Sequence, residues 1–298
     1  MPPQSPIDGG VILVTGASSG IGAALATAMA PRARALILVA RRRDRLESLA
    51  ARLRVDHPGL AVEVRAADLT DATVPAALVA QTLQAYGRID VLVNNAGLGD
   101  IGLMHQCPED KLLAMLQTNV VAVTLLTRAA LAPMLAAGRG AILQVSSGFG
   151  LTWMPFFSAY VGTKHHVTAM TESLRAEVAG SGVRVVQLCP GPVATEFEQV
   201  AGNPTGQRVP DWVELSAVRC AAAGVRAVDR NHAMAVPGAV AAAAIWAGAA
   251  APRWLLRPAW ALAARVLRGR MHARTPPLPP APRPGGPRGA EAGPATQR

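Results

Sequence analysis

Six apolar, β-branched runs recur along the chain: VILVTG (11–16), ALILVA (35–40), AVEVRAADL (61–69), IDVLVNNAG (89–97), GAILQVSS (140–147) and VRVVQLCPG (183–191). Segments of helical period separate them, among them IGAALATAMAPRA and DRLESLAARLRV. A strand with one wet face alternates apolar and polar residues. A nearly unbroken apolar run needs a sheet covered on both faces. Strand and helix in alternation, joined by right-handed crossovers, therefore predict a single α/β domain on a doubly wound parallel sheet of about seven strands. The last strand is expected in HAMAVPG (232–238). Such sheets bind ligands at the carboxyl ends of their strands, so the residues that follow each run are the first candidates for function.

Apolar residues make up 51% of the 298, enough for a sizeable core. The net charge of +10 invites a nucleic-acid reading until it is located. Residues 1–252 carry 20 basic and 18 acidic side chains, a net of +2, whereas 253–298 carry nine arginines and one acid, Glu291, a net of +8. The near-neutral body has no helix-turn-helix, zinc-finger or RNP pattern, so no nucleic-acid partner is expected. Cys107, Cys189 and Cys220 are widely spaced and odd in number. They suit neither a disulfide framework nor a metal site, and a reduced, cytoplasmic setting is expected. The opening MPPQSPIDGG shows no signal peptide.

The stretch from Ala233 to Pro252 has membrane-spanning length, but it is mostly alanine and contains Pro237 and Gly238; strand plus buried helix is expected. From 253 to 270, Trp254, Leu255, Leu256, Trp260, Leu262, Val266 and Leu267 alternate with five arginines. Such a helix either lies on the anionic inner face of a membrane or packs on its own domain or a second subunit with its arginines solvated. The expected division is a ligand-binding domain over 1–252, a C-terminal helical extension over 253–274, and a disordered Pro/Gly-rich tail over 275–298.

The first run leads into TGASSGIG, where Gly16, Gly20 and Gly22, with Ser18, Ser19 and Ile21, stand between strand and helix. Glycine there lets the backbone approach a pyrophosphate, and the helix N-terminus offers N–H donors and a positive dipole end. An ordinary glycine-rich turn would look the same, and the spacing T-G-x-x-x-G-x-G differs from G-x-G-x-x-G. The second run ends LVARRRDRL. A dinucleotide on the glycines would place its adenosine ribose here. An acid would suit the 2′-hydroxyl of NAD; Arg41, Arg42 and Arg43 suit the 2′-phosphate of NADP.

Only two of the 29 basic residues are lysines, and one of them, Lys164, follows one of the two tyrosines, Tyr160, by four residues. On a helix the pair shares a face. YVGTK (160–164), TGASSGIG (15–22), DL (68–69), NNAG (94–97), Asn119 in LQTNVVAV, Ser147 in QVSS and PGPVAT (190–195) together resemble the short-chain dehydrogenase/reductase family over residues 9 to 200. The resemblance implies a Rossmann-type fold, an NADP-dependent oxidoreductase and no metal. It implies that Ser147 stabilises the substrate oxygen, Tyr160 transfers a proton and Asn119 holds a water linking Lys164 to solvent. Lys164, together with the positive charge of an oxidised nicotinamide, would lower the tyrosine pKa; it would also bind the nicotinamide ribose and pass a proton on, which guanidinium does poorly. Asp68 and Leu69 would meet the adenine, Asn95, Ala96 and Gly97 the riboses, and Pro190, Gly191, Val193 and Thr195 the nicotinamide side. Many NADP-preferring members carry a basic residue where Ser19 stands, so the preference here rests on Arg41 and Arg42.

All four phenylalanines, Phe149, Phe156, Phe157 and Phe197, flank Ser147 and Tyr160, and Trp153 and Met154 join them. These segments line the substrate cleft in the family, which points to an apolar ketone, aldehyde or secondary alcohol; packing in the core or an interface suits the rings equally well. Residues 199–231 are the expected substrate lid, with Trp212 as a cap. A 3-oxoacyl-thioester reductase of lipid metabolism would share every catalytic residue. A non-catalytic NADP-sensing protein would ordinarily lack the Tyr or the Lys. The resemblance also implies a homodimer or homotetramer built through the helices that carry Asn119 and Tyr160.

Overall fold

The computed structural model describes residues 4–202, 210 and 212–272, with side chains described as far as residue 268. The tail at 275–298 lies outside the described residues, as do 203–209 and 211 of the expected lid. In chain order the elements are β1 (Val11–Thr15), α1 (Gly20–Met29), β2 (Ala35–Ala40), α2 (Arg43–Asp56), β3 (Ala61–Ala66), α3 (Val74–Tyr86), β4 (Val91–Asn94), α4 (Glu109–Leu116), α5 (Val123–Ala136), β5 (Gly140–Val145), α6 (Ser158–Glu177), β6 (Val183–Leu188), β7 (Val193–Ala194), α7 (Phe197–Ala201), β8 (Leu215–Ser216), α8 (Ala217–Arg230), β9 (Met234–Ala235), α9 (Ala239–Ala250) and α10 (Arg253–His272).

Seven strands form one sheet in the order β3-β2-β1-β4-β5-β6-β9, and every pairing is parallel. Successive side chains point to opposite faces. On one face Ile12, Val14, Leu36 and Leu38 meet Leu25 and Met29 of α1, Leu46 and Leu53 of α2, and Cys220 and Val228 of α8. On the other, Val11, Leu13, Ile37 and Val39 meet Leu78 of α3, Leu126 and Met134 of α5, and Leu174 of α6. Both parities are buried, which is why the runs are apolar throughout. Each fully buried Leu or Ile contributes about 1.5–3 kcal/mol.

The winding reverses at β1, with β2 on one side and β4 on the other. A crevice opens where two neighbouring strands feed connections that depart in opposite directions. Thr15 and Asn95 fix its walls. The Thr15 hydroxyl donates to the Val93 carbonyl (3.1 Å) and accepts from the backbone N–H of Asn95 (3.0 Å) and Ala96 (3.1 Å). Asn95 Nδ2 donates to the carbonyls of Thr15 (3.0 Å) and Gly16 (3.2 Å).

Three expectations need correction. Residues 217–230 are not part of a lid: α8 packs on α1 with Cys220, Ala221, Gly224, Ala227 and Val228 buried. Helix α9 is not buried; it buries Ala241 and Ile245 and leaves Val240 and Trp246 half-exposed. The last strand shrinks to Met234 and Ala235, which pair with Gln187 and Leu188.

Candidate active site

A cleft of about 940 Å³ runs along the carboxyl ends of the strands. It is lined by Gly16, Ser18, Ser19, Gly20, Ile21, Arg41, Arg42, Asp68, Leu69, Asn95, Ala96, Gly97, Ser147, Tyr160, Lys164, Pro190, Gly191, Val193 and Thr195, all predicted from the sequence. Gly22 and Asn119 stand behind it. At Gly22 an added Cβ would lie 2.3 Å from the Gly16 carbonyl oxygen, so this glycine seats α1 against β1. Asn119 lies in a π-helical turn, Gln117–Ala122, joining α4 to α5. Its side chain accepts from Leu98 N–H (2.8 Å) and donates to the Leu98 carbonyl (2.8 Å) and the Thr163 hydroxyl (3.0 Å). Asn119 therefore clamps the loop after β4 onto α6.

At one end of the cleft, Gly16 (φ +65°) and Gly20 (φ +56°) take the left-handed conformation that glycine tolerates. A Cβ on Gly16 would lie 2.7 Å from Asn95 Nδ2 and 2.8 Å from Ala96 Cα. The loop is thus bare backbone leading into the N-terminus of α1, with Arg41 and Arg42 beyond it. Bare amides and a helix dipole suit a pyrophosphate, and the arginines suit a further phosphate, so the residues present fit a dinucleotide. Arg42 already has protein partners: it donates to Ser18 Oγ (3.1 Å), Ser19 Oγ (2.8 Å) and Glu196 Oε2 (2.8 Å). Arg45 holds the other oxygen, Glu196 Oε1, at 2.5 Å. Glu196 was not anticipated from the sequence.

At the other end, Ser147 follows β5 and lines the cleft together with Tyr160 of α6. Lys164, one turn on, donates from Nζ to the Val145 carbonyl (2.9 Å) and lies 5.7 Å from the Tyr160 ring centroid. Ser146 is structural: its hydroxyl bonds to the Lys164 carbonyl (3.2 Å) and Thr168 Oγ1 (2.8 Å). Ser147, Tyr160 and Lys164 are all buried.

The family model for short chain dehydrogenases matches residues 10–204. The chain belongs to the short-chain dehydrogenase/reductase family. Its members are dehydrogenases and reductases acting on CH–OH and C=O groups. A short-chain dehydrogenase of Sphingobium yanoikuyae, solved with NADPH, is 30% identical with a TM-score of 0.71, covering 91% of this chain and 98% of that one. A bulky-bulky ketone specific alcohol dehydrogenase of Comamonas testosteroni is 25% identical with a TM-score of 0.69, covering 91% and 97%. The glycine betaine reductase of Emericella nidulans is 34% identical over 218 residues, which are 70% of this chain and 17% of that protein.

Burial dominates the electrostatics of the Tyr160–Lys164 pair. Burial pushes Tyr160 up to about 12, with the neighbouring Ser147 hydroxyl acting in the opposite sense. Burial also pushes Lys164 down to about 8. For Tyr160, desolvation therefore outweighs the neighbouring polar groups of the chain.

The half of the cleft around Tyr160 is apolar. Phe149, Phe156, Phe157, Phe197 and Met154 all line it. The Phe149 and Phe157 centroids are 4.8 Å apart, Phe149 meets Tyr160 edge-on at 6.3 Å, and Phe197 lies 5.3 Å from Tyr160. Phe156 has φ +72°, an unusual conformation for an aromatic residue, and its carbonyl accepts from Gly102 N–H (2.9 Å). Trp153 turns away toward Trp260 of α10, centroids 6.5 Å apart, and Trp212 is 74% exposed and is not among the described residues that line the cleft. Val213, from the expected lid, also lines the cleft; sequence reasoning missed Ala241, Ala244, Ile245 and Leu267, which join the wall. Helix α9, with Leu267 of α10, thus closes one side of the cleft. Only Gly148 hinted at it, since an added Cβ there would lie 2.5 Å from Ile245 Cδ1.

Proposed function

We propose that the protein interconverts an apolar ketone or aldehyde and its alcohol, using NADP. The observation that carries this is a single cleft with Arg41 and Arg42 at one end and Ser147 and Tyr160 at the other, under an aromatic and aliphatic wall. Bound NADPH supplies the hydride. Tyr160, protonated at neutral pH because burial raises it, donates a proton to the substrate oxygen. Ser147 Oγ donates a hydrogen bond to that oxygen as negative charge develops there. The Lys164 ammonium stabilises the phenolate that Tyr160 becomes. Phe149, Phe197, Ile245 and Leu267 exclude water and hold the apolar substituents. The NADPH complex of the Sphingobium relative supports the cofactor, and the ketone specificity of the Comamonas relative supports the substrate class.

The test is NADPH and NADH oxidation across apolar ketones, aldehydes and 3-oxoacyl thioesters. NADPH-dependent turnover of apolar ketones is expected, falling by about 10²–10⁴-fold in Tyr160→Phe. A preference for NADH would overturn the cofactor assignment, and turnover confined to thioesters would make the protein a 3-oxoacyl reductase.

Two surfaces belong to the same reading. The continuous helix Glu109–Ala136 leaves Leu113, Leu116 and Leu135 exposed, and a second copy of the chain would cover them. The exposed side of α10 would rest on an anionic bilayer, at the inner face of a cytoplasmic membrane.

A further inference from the structure

Glu196 sits in the segment that crosses the cleft, and that segment is fastened at both ends. At the far end the Ala201 carbonyl accepts from Lys111 Nζ (2.8 Å) and from Ile101 N–H (3.3 Å). In the middle Phe197 lies against Tyr160 and over Gly99, where an added Cβ would sit 2.3 Å from its ring. At the near end the two Glu196 carboxylate oxygens are divided between Arg42 (2.8 Å) and Arg45 (2.5 Å). Arg42 is also the residue best placed, with Arg41, for a 2′-phosphate. Arg41 lines the cleft and has no ion-pair partner among the described residues.

We propose that Glu196 is an internal counter-anion that occupies Arg42 in the free protein and gives way to the 2′-phosphate when NADP binds. Glu196 thereby becomes a determinant of the NADP-to-NAD ratio. The inference rests on the NADP reading above. The exchange is one of like for like: a carboxylate leaves the guanidinium and a phosphate oxygen takes its place, with Arg41 as the first point of capture. A neutral 2′-hydroxyl has no charge with which to displace the carboxylate, so an NAD-type ligand leaves the latch closed. Arg42 and Arg45 hold Glu196 below the usual carboxylate range, so it stays ionised, and able to latch, through the working pH range.

Isothermal titration with 2′,5′-ADP and 5′-ADP tests this without turnover. The titrations are run on the full chain and on Glu196→Gln, Arg42→Gln and the double variant. Glu196→Gln should bind 2′,5′-ADP about three- to fivefold tighter, the scale of the one half-exposed ion pair that is exchanged, and 5′-ADP no tighter than wild type. In the Arg42→Gln background the same substitution should lose its effect on 2′,5′-ADP. If wild type binds 2′,5′-ADP no tighter than 5′-ADP, the NADP reading itself fails. If wild type discriminates and Glu196→Gln leaves the ratio unchanged, or changes it equally without Arg42, the latch is overturned. Both Glu196 and its partners are part-exposed, so the variants retain the buried core, and unchanged melting curves verify it.

Discussion

Tyr160 and Lys164 share one pocket, and burial drives both toward their neutral forms. For the tyrosine this preserves the acid that the proposed carbonyl reduction needs. For the lysine it is a cost of function. An ammonium at neutral pH is held where desolvation lowers its pKa from the model-compound value of 10.5 to about 8. Between these values the unfolded chain binds a proton at Lys164 that the folded chain does not. Stability therefore rises with pH across that window, and the full penalty applies below it. Lys164→Met should raise stability by about 2 kcal/mol at pH 7, after allowing for the lost bond to Val145, while abolishing turnover. The gain should shrink as pH climbs from about 8 to 10.5, read by urea denaturation of both proteins at several pH values. A pH-independent difference would mean that Lys164 is not strained in the folded state. Identity and spacing made Tyr160, Lys164 and the glycines legible in the sequence. The direction of the Tyr160 shift was not, because burial is a property of the assembled fold. Glu196 was hidden for a related reason: its partner Arg42 lies 154 residues away.

At the level of elements, β1 to β6 were legible because a two-faced sheet writes unbroken apolar runs. The connections after β6 were not. Helix α8 looks like part of a Gly- and Pro-bearing loop, yet small residues such as Gly224 let it lie close to α1, where an added Cβ would stand 3.2 Å from Leu25. Helix α9, AVAAAAIWAGAA, is apolar all round, so no periodicity marks its cleft-facing side. Its contribution is specific even so. Ile245 reaches into the space left by Gly148 and lines the apolar half of the cleft. Ile245→Ala should lower kcat/KM for bulky apolar ketones by roughly tenfold through lost apolar contact. Binding of NADPH, measured by fluorescence titration, should stay within about twofold, and a small ketone should be little affected. A uniform loss across all substrates and the cofactor would show that Ile245 supports the fold rather than selecting substrate.

For the whole molecule, the separation of charge seen in the sequence becomes a separation of surfaces. Helix α10 turns Leu256, Trp260 and Leu267 inward at helical spacing, and Leu267 reaches the cleft. Trp254, Leu255, Leu262 and Val266 face outward, between 52% and 75% exposed, beside Arg253, Arg257 and Arg265 and with no acid on the helix. An apolar stripe flanked by arginines is matched by an anionic lipid surface better than by water, and the cleft wall at Leu267 would give a membrane-dissolved ketone a short path in. Helix α10 is bent by 116° from α9, so the pair does not form one straight span. The full chain should sediment with vesicles containing phosphatidylglycerol, stay in solution with purely phosphatidylcholine vesicles, and be released by high salt as the charges are screened. Leu255→Glu, Leu262→Glu and Val266→Glu combined should abolish sedimentation while leaving reduction of a water-soluble ketone intact. Equal sedimentation with both vesicle types, or with neither, would sink the membrane assignment. If the triple variant then also eluted as a smaller species than wild type on gel filtration, the stripe would be an interface between copies of this chain.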